Sequence, residues 1–173
     1  DLSPVTGDIK DFIRGKNIAV ATFGRTPNNM LRYLLAKWKL DPARDVTLIE
    51  VDSNVIHTVV SSKRADIGVS AEPFITLAYN QGIWDQPFWN GAKELGPYAD
   101  TALSVRADRL TTDAKVVKGL VRGTIRGLRD TTSNPEAAIQ FARKEFPTAS
   151  EDEIKAALNR AFADKIYSDD GFI

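Results

Sequence analysis

Two periodicities share this chain. As far as Gly82, short apolar runs in which nearly every position is hydrophobic or small alternate with stretches where apolar residues recur every third or fourth position. Beyond Thr112 only the second pattern remains. Runs of the first kind predict strands at residues 17–22 (NIAVAT), 46–51 (VTLIEV) and 66–70 (DIGVS), with a further one at 101–105 (TALSV). The second kind predicts helices. A short one covers 8–14 and ends at Gly15, and a longer one starts at Pro27 with Met30, Leu31, Leu34, Leu35 and Trp38 on one stripe. A third covers 54–63, with Val55, Val59 and Val60 inward, and a fourth runs from Glu72-Pro73 to Gly82. The second half reads as helices at 113–129, at 135–145 behind Asn134-Pro135, and at 151–163 behind a Ser150/Glu153 capping box.

Strand and helix alternate three times over within the first half. Connections this short require parallel strands joined by right-handed crossovers, hence an open α/β sheet. Ligands of such sheets bind beyond the carboxyl ends of the strands, which sets where candidate chemistry is sought.

Composition narrows the classes. At 173 residues and 43% hydrophobic content the chain is long enough for a buried core in one domain or two small lobes. Its 23 basic and 23 acidic side chains cancel, so no global field gathers nucleic acid or an anionic membrane, and no nucleic-acid partner is expected. The absence of cysteine excludes disulfides, thiolate metal sites and thiol nucleophiles, and a lone His57 excludes multi-histidine sites. His57 itself falls mid-helix on a polar face, which suits ordinary surface better than function. Neither metal nor cofactor is expected, and no apolar run reaches the ~20 residues of a membrane span. The chain starts at Asp1 without a signal peptide to read, as a processed form or a piece of a longer protein does.

The first strand ends in Thr22-Phe23-Gly24-Arg25 and gives way to a helix for which Thr26 is a good N-cap and Pro27 a good first residue. The unpaired amides and positive dipole end of such a helix favour an anion, to which Arg25 adds charge and Thr26 a hydroxyl. The alternative is that Thr26 only caps and Arg25 is solvated. A dinucleotide site is demoted, because Gly24 stands alone where a Gly-rich fingerprint is needed. By the same strand-end logic Ser70, Ala71 and Glu72 emerge at the same edge, where a hydroxyl and a carboxylate suit a small zwitterion or polar anion; alternatively, Glu72 only favours the first turn of its helix. Gly24, Arg25, Thr26, Asn28, Ser70 and Glu72 are the candidate ligand-binding residues, with no catalytic residue among them.

Two further patterns carry open readings. Trp84, Phe88, Trp89 and Tyr98 lie in an irregular segment and either cover the sheet edge or stack on a ligand. Gly119, Gly123 and Gly127 repeat every four residues like a membrane-helix seam, but Arg122, Arg126 and Arg129 disfavour that reading. Close packing on another backbone is expected to compensate the propensity cost of about 1 kcal/mol per glycine.

Residues 15–52 (GKNIAVATFGRTPNNMLRYLLAKWKLDPARDVTLIEVD), 61–74 (SSKRADIGVSAEPF) and the later NPEAA resemble the substrate-binding proteins of ABC importers, in the branch that takes nitrate, sulfonates and taurine. Gly15-Lys16, Gly24, Thr26, Leu31-Arg32, Leu40-Asp41-Pro42, Asp66 and Glu72-Pro73 match that pattern in order. Arg25, where serine is more usual, and Ala71, where a bulky aromatic is common, depart from it at the ligand edge. The resemblance implies the type II periplasmic binding protein fold, with two α/β lobes closing on a ligand. Residues 1–15 are then the exit from the first lobe, 16–106 the second lobe with a returning hinge strand at 101–106, and 107–173 helices of an incomplete first lobe. It further implies a small anionic solute, an ABC permease as partner, a periplasmic or membrane-anchored extracytoplasmic location, and no catalysis. Two other classes stay open at this point: an enzyme of the pyrimidine-precursor synthase type on the same fold, and a ligand-free sensory or structural module.

Overall fold

The computed structural model describes residues 8–96 and 102–167. Tyr98, Thr101, residues 1–7 of the expected exit segment and residues 168–173 lie outside the described residues. The described residues divide into two compact units, one ending at Asn90 and the other starting at Gly91.

In the first unit, α1 (Ile9–Ile13), β1 (Asn17–Ala21), α2 (Thr26–Lys37) and β2 (Thr47–Val51) are followed by a 3-10 turn at Ser53–Val55 that runs into α3 (Ile56–Ser61), then β3 (Ile67–Val69) and α4 (Phe74–Asn80). The three strands form one parallel sheet in the order β2-β1-β3, with Ala19 opposite both Ile49 and Gly68. This is the open α/β architecture that the alternation of periods predicts. β1 is central, and Ile18 to Ala21 are all buried, the signature of a strand covered on both faces. Alternation sends Ile18 and Val20 to a core shared with Ile13, Leu31, Leu35, Leu40, Val46 and Ile67, and Ala19 to a second core with Ile56, Val59 and Ala65.

Two helices depart in detail from expectation. In α2 the buried stripe is Leu31, Leu34 and Leu35, with Met30 half-buried and Trp38 packed at the margin of the first core. Val55, expected inward, is 39% exposed. Residues 53–55 are wound as a 3-10 turn, so the α-helical phase starts at Ile56, which takes the inward position together with Val59 while Val60 packs at the core margin.

Of the four aromatic residues, Trp84 covers the sheet, the first of the two readings. A Cβ added to Gly68 would lie 2.4 Å from Cζ2 of Trp84, so the indole occupies the space of the missing side chain beside Ala19. Phe88 meets Phe12 edge to face at 5.6 Å between centroids, which brings the segment back onto α1.

The second unit contains α5 (Gly91–Leu95), α6 (Arg109–Thr112), α7 (Ala114–Ser133), α8 (Pro135–Glu145) and α9 (Glu151–Ala163), with α8 packed on both α7 and α9. The expected strand is not formed at residues 102–106, which join no ladder among the described residues. A strand persists only where a neighbour takes its backbone hydrogen bonds. The capping box of α9 forms, with the Ser150 amide donating to Glu153 Oε2 at 2.8 Å and the Glu153 amide to Ser150 Oγ at 3.3 Å.

Among the described residues, Gly119, Gly123 and Gly127 do not make the expected close approach: a Cβ on any of them would meet none of those residues within 4 Å. The half-buried positions of α7 include Val117, Ile125 and Leu128, a different stripe from the glycines, while Val116 is 69% exposed and Leu120 is also exposed. Among the described residues, no helix is long and apolar enough to cross a membrane.

Candidate functional site

Because the sheet is parallel, the carboxyl ends of β1, β2 and β3 share one edge. At the end of β1 the chain turns through residues 22–25, closed by the Arg25 amide donating to the Thr22 carbonyl at 3.1 Å. Gly24 holds φ +88 there, a conformation open to glycine and strained for other residues. The turn places Arg25, not Thr26, at the N-cap of α2: Arg25 is extended, Thr26 is already helical, and no side chain caps the helix. The sequence expectation is thus off by one residue, because the glycine turn completes one position earlier than a Thr26 cap requires. With Pro27 in the first turn bringing no N–H, α2 opens on the uncapped backbone amides of Thr26 and Asn28.

Asn28 is the fixed point behind this turn. It is fully buried, donates from Nδ2 to the Ala21 carbonyl at 2.7 Å and accepts at Oδ1 from Arg32 Nε at 2.8 Å. Arg32 continues to Glu50 Oε1 at 3.1 Å, and Glu50 Oε2 accepts from the Phe23 amide at 3.0 Å. The guanidinium also lies 5.1 Å from the centroid of the Phe23 ring. The end of β1, the turn, α2 and the end of β2 are thereby tied into one circuit. The Asn28 amide first, then the Phe23 N–H and the Arg32 guanidinium, hold the Glu50 carboxyl below its usual range, so it is an anion in this circuit at neutral pH.

In front of the turn is an open pocket of about 320 Å³ lined by Thr22, Arg25, Asp52, Ser53, Asn54 and Phe74. The first two come from the end of β1, the next three from the end of β2, and Phe74 from the start of α4. Arg25 is the one sequence-predicted site residue in the lining. Gly24 shapes the turn, Thr26 is half-buried in the first turn of α2, and Asn28 works from behind.

Ser70 and Glu72 emerge at the same edge but outside the pocket wall. Ser70 Oγ is buried without a hydrogen bond, and Glu72 Oε2 accepts from the Thr76 amide at 3.2 Å across the start of α4. The latter contact is the helix-start role that the sequence left as an alternative. Asp52, Ser53 and Asn54 were missed, although the signal was present: they follow the second strand directly, and strand-end logic applied to all three strands finds them. His57 is half-buried on α3. Among the described residues no group of three or more acidic, histidine or cysteine side chains could hold a metal ion.

Comparison with known proteins gives the setting of this geometry. Residues 2–143 match the NMT1-like family. Among solved structures, the chain is similar to the alkanesulfonate-binding protein SsuA from Xanthomonas axonopodis pv. citri bound to MOPS, with TM-score 0.69 and 14% identity over 92% of this chain and 61% of that one. It is also similar to the ligand-binding component of an ABC-type import system from Staphylococcus aureus with zinc bound, with TM-score 0.60 and 16% identity over 84% of this chain and 49% of that one. This chain therefore spans between about half and three fifths of the solved chains it matches. At these identities the likeness establishes a shared fold. No curated protein matches the chain in sequence.

Proposed function

The chain belongs to the NMT1-like family, and on that premise we propose that it is part of the solute-binding component of an ABC importer. It takes a small anion, such as a sulfonate, nitrate or a related organic acid, at the edge of the β2-β1-β3 sheet and hands it to a membrane permease. It performs no chemistry on that solute and works outside the cytoplasm.

The observation that carries this reading is the pocket at the strand ends, into which the turn 22–25 brings Arg25 beside the uncapped start of α2. A fixed positive charge next to unpaired backbone amides favours an anion on two independent grounds. A neighbour in fold space that binds alkanesulfonates supports sulfonates among the candidates. The lobe division we propose, residues 16–106 and residues 107–173, places its boundary later than the Asn90–Gly91 division between the compact units; in two-lobed binding proteins specificity arises on closure, because only a solute touching both lobes favours the closed state.

The test is an NMR titration of the chain with methanesulfonate, nitrate and sulfate, following the backbone amides. Saturable shifts centred on Arg25, Thr26 and Asn28 for at least one anion, lost in Arg25→Gln, are expected. Shifts absent for all three, or centred elsewhere, overturn the reading.

A further inference from the structure

Charge cancels over the whole chain but not along α7. Between Ala114 and Arg129 its ionisable residues are Lys115, Lys118, Arg122, Arg126 and Arg129, all basic and all exposed, and the single acid of the helix, Asp130, follows the last of them. Steps of three and four residues align these cations within an arc of about 80° along about 21 Å of helix. The neighbouring helices are built otherwise. α8 and α9 mix acids with bases, and Glu151 takes both Arg143 and Lys155, while Asp113 ahead of α7 takes Arg109. No ion pair joins Lys115, Lys118, Arg122 or Arg126 to an acid among the described residues.

Such a stripe works against the helix that carries it. Cations three and four residues apart repel each other, and Lys115 and Lys118 stand at the end where the helix dipole disfavours positive charge. Gly119, Gly123 and Gly127 lower the helix propensity further. An anionic surface laid along the stripe offsets all of these costs together.

We infer that α7 is a docking surface for an anionic lipid bilayer, on which it lies with the basic stripe against the head groups. Features of the helix favour a bilayer over an acidic protein face. The stripe is straight and one side chain wide, and fluid head groups gather at each cation without a matching pattern of acids. On one flank Val116 and Leu120 are 69% and 47% exposed, and on the other Val121 is 45% exposed, apolar groups that enter the interface beside the cations. Gly119, Gly123 and Gly127 stand open on the first flank, where no side chain of theirs holds the backbone off the surface. The contact is peripheral, since no helix among the described residues is long and apolar enough to cross. It is independent of the strand-end pocket, whose lining lies wholly in the first unit. Under the function proposed above, it holds the chain at the membrane that receives the solute.

The experiment is co-sedimentation of the chain with phosphatidylcholine vesicles and with vesicles containing about one third phosphatidylglycerol, at low salt and at about 1 M salt, where the Debye length is about 3 Å. Binding to the anionic vesicles alone, released by salt, is expected. Each cation near such a surface tightens binding about fivefold, so the double variant Arg122→Gln/Arg126→Gln should weaken partition about twenty- to thirtyfold. Arg143→Gln/Lys155→Gln removes the same charge from α8 and α9 and is expected to bind as the unsubstituted chain does, with circular dichroism reporting that both variants fold. Absence of binding to the anionic vesicles, or an equal loss in the two double variants, overturns the inference. Retention on immobilised poly-L-glutamate that Arg122→Gln/Arg126→Gln abolishes, without vesicle binding, assigns the stripe to an acidic protein partner and overturns it as well.

Discussion

Replacing Asn28 tests whether the candidate site is held from behind. Leucine has the same branched heavy-atom skeleton but is bulkier and neither donates nor accepts, so Asn28→Leu removes the 2.7 Å bond to the Ala21 carbonyl, the 2.8 Å bond from Arg32 and the amide's interaction with the Glu50 carboxylate. Ala21 is buried, and a carbonyl left short of its donor costs about 1 to 3 kcal/mol. Arg32 loses less, since it keeps Glu50 and reaches solvent. The extra apolar burial of leucine, on the order of 1 kcal/mol, is offset by the cost of fitting its larger volume into a filled site. The net is a local loosening of about 1 to 3 kcal/mol, or roughly five- to a hundredfold in the opening equilibrium.

The readout is hydrogen exchange at the Phe23 and Arg25 amides, which close the circuit to Glu50 and the turn itself. Both should exchange faster by that factor, while amides of α9 remain unchanged. Asn28→Asp should loosen the turn further, because a buried carboxylate there faces the Ala21 carbonyl and the Glu50 carboxylate. The pH dependence follows from Glu50. Its pKa is lowered in the fold, so its contribution is present above its ordinary value of 4.5 and is lost as pH falls through and below that value. Exchange at Phe23 corrected for intrinsic rate should therefore accelerate on acidification. Unchanged protection of Phe23 in both variants refutes the positioning role of Asn28.

Gly68→Ala should destabilise the first unit by about 1 to 3 kcal/mol, because its methyl meets the Trp84 indole at 2.4 Å; displaced indole emission accompanies it, and unaltered emission and stability count against the packing described. Ser150→Ala should lower the stability of the α9 region by about 1 kcal/mol through loss of the capping box, read as lost circular dichroism on heating. Lys39, just past the end of α2, holds φ 57, so Lys39→Gly should stabilise by about 0.5 to 1 kcal/mol; a lower Tm contradicts that.

The frame of the first unit was legible because its signals are local. Buried β1 reads as a continuous apolar run, α2 as a stripe, and the ends of both are marked by Gly15 and Gly24. What sequence missed depends on partners distant along the chain. Gly68 reads as an ordinary small strand residue until Trp84 is seen lying on it, and Asn28 reads as a candidate ligand contact until Ala21 and Arg32 are seen to close around it. The segment 102–106 has strand composition, but pairing is not a property of composition. The site was half legible: Arg25 was found from the strand-turn-helix order, while Asp52 needed the second crossover to be read for its end as well as its apolar run.

The placement of β1 also bears on how the unit comes to exist. The first strand among the described residues is the middle strand of the sheet, so neither edge strand can dock until the chain has looped back to it, and the Asn17 amide meets the Asp66 carboxylate 49 positions away. Each return requires closing a loop before any contact compensates for it, which sets a slow, topology-limited rate. Thr22, Asp52 and Phe74 become neighbours only after both returns are complete. Under the proposed function, solute capture is therefore all-or-none with respect to folding: a nascent chain paused after β2 has a hydrophobic strand edge but no complete pocket, and the lining closes only once β3 has docked and α4 has brought Phe74 into place.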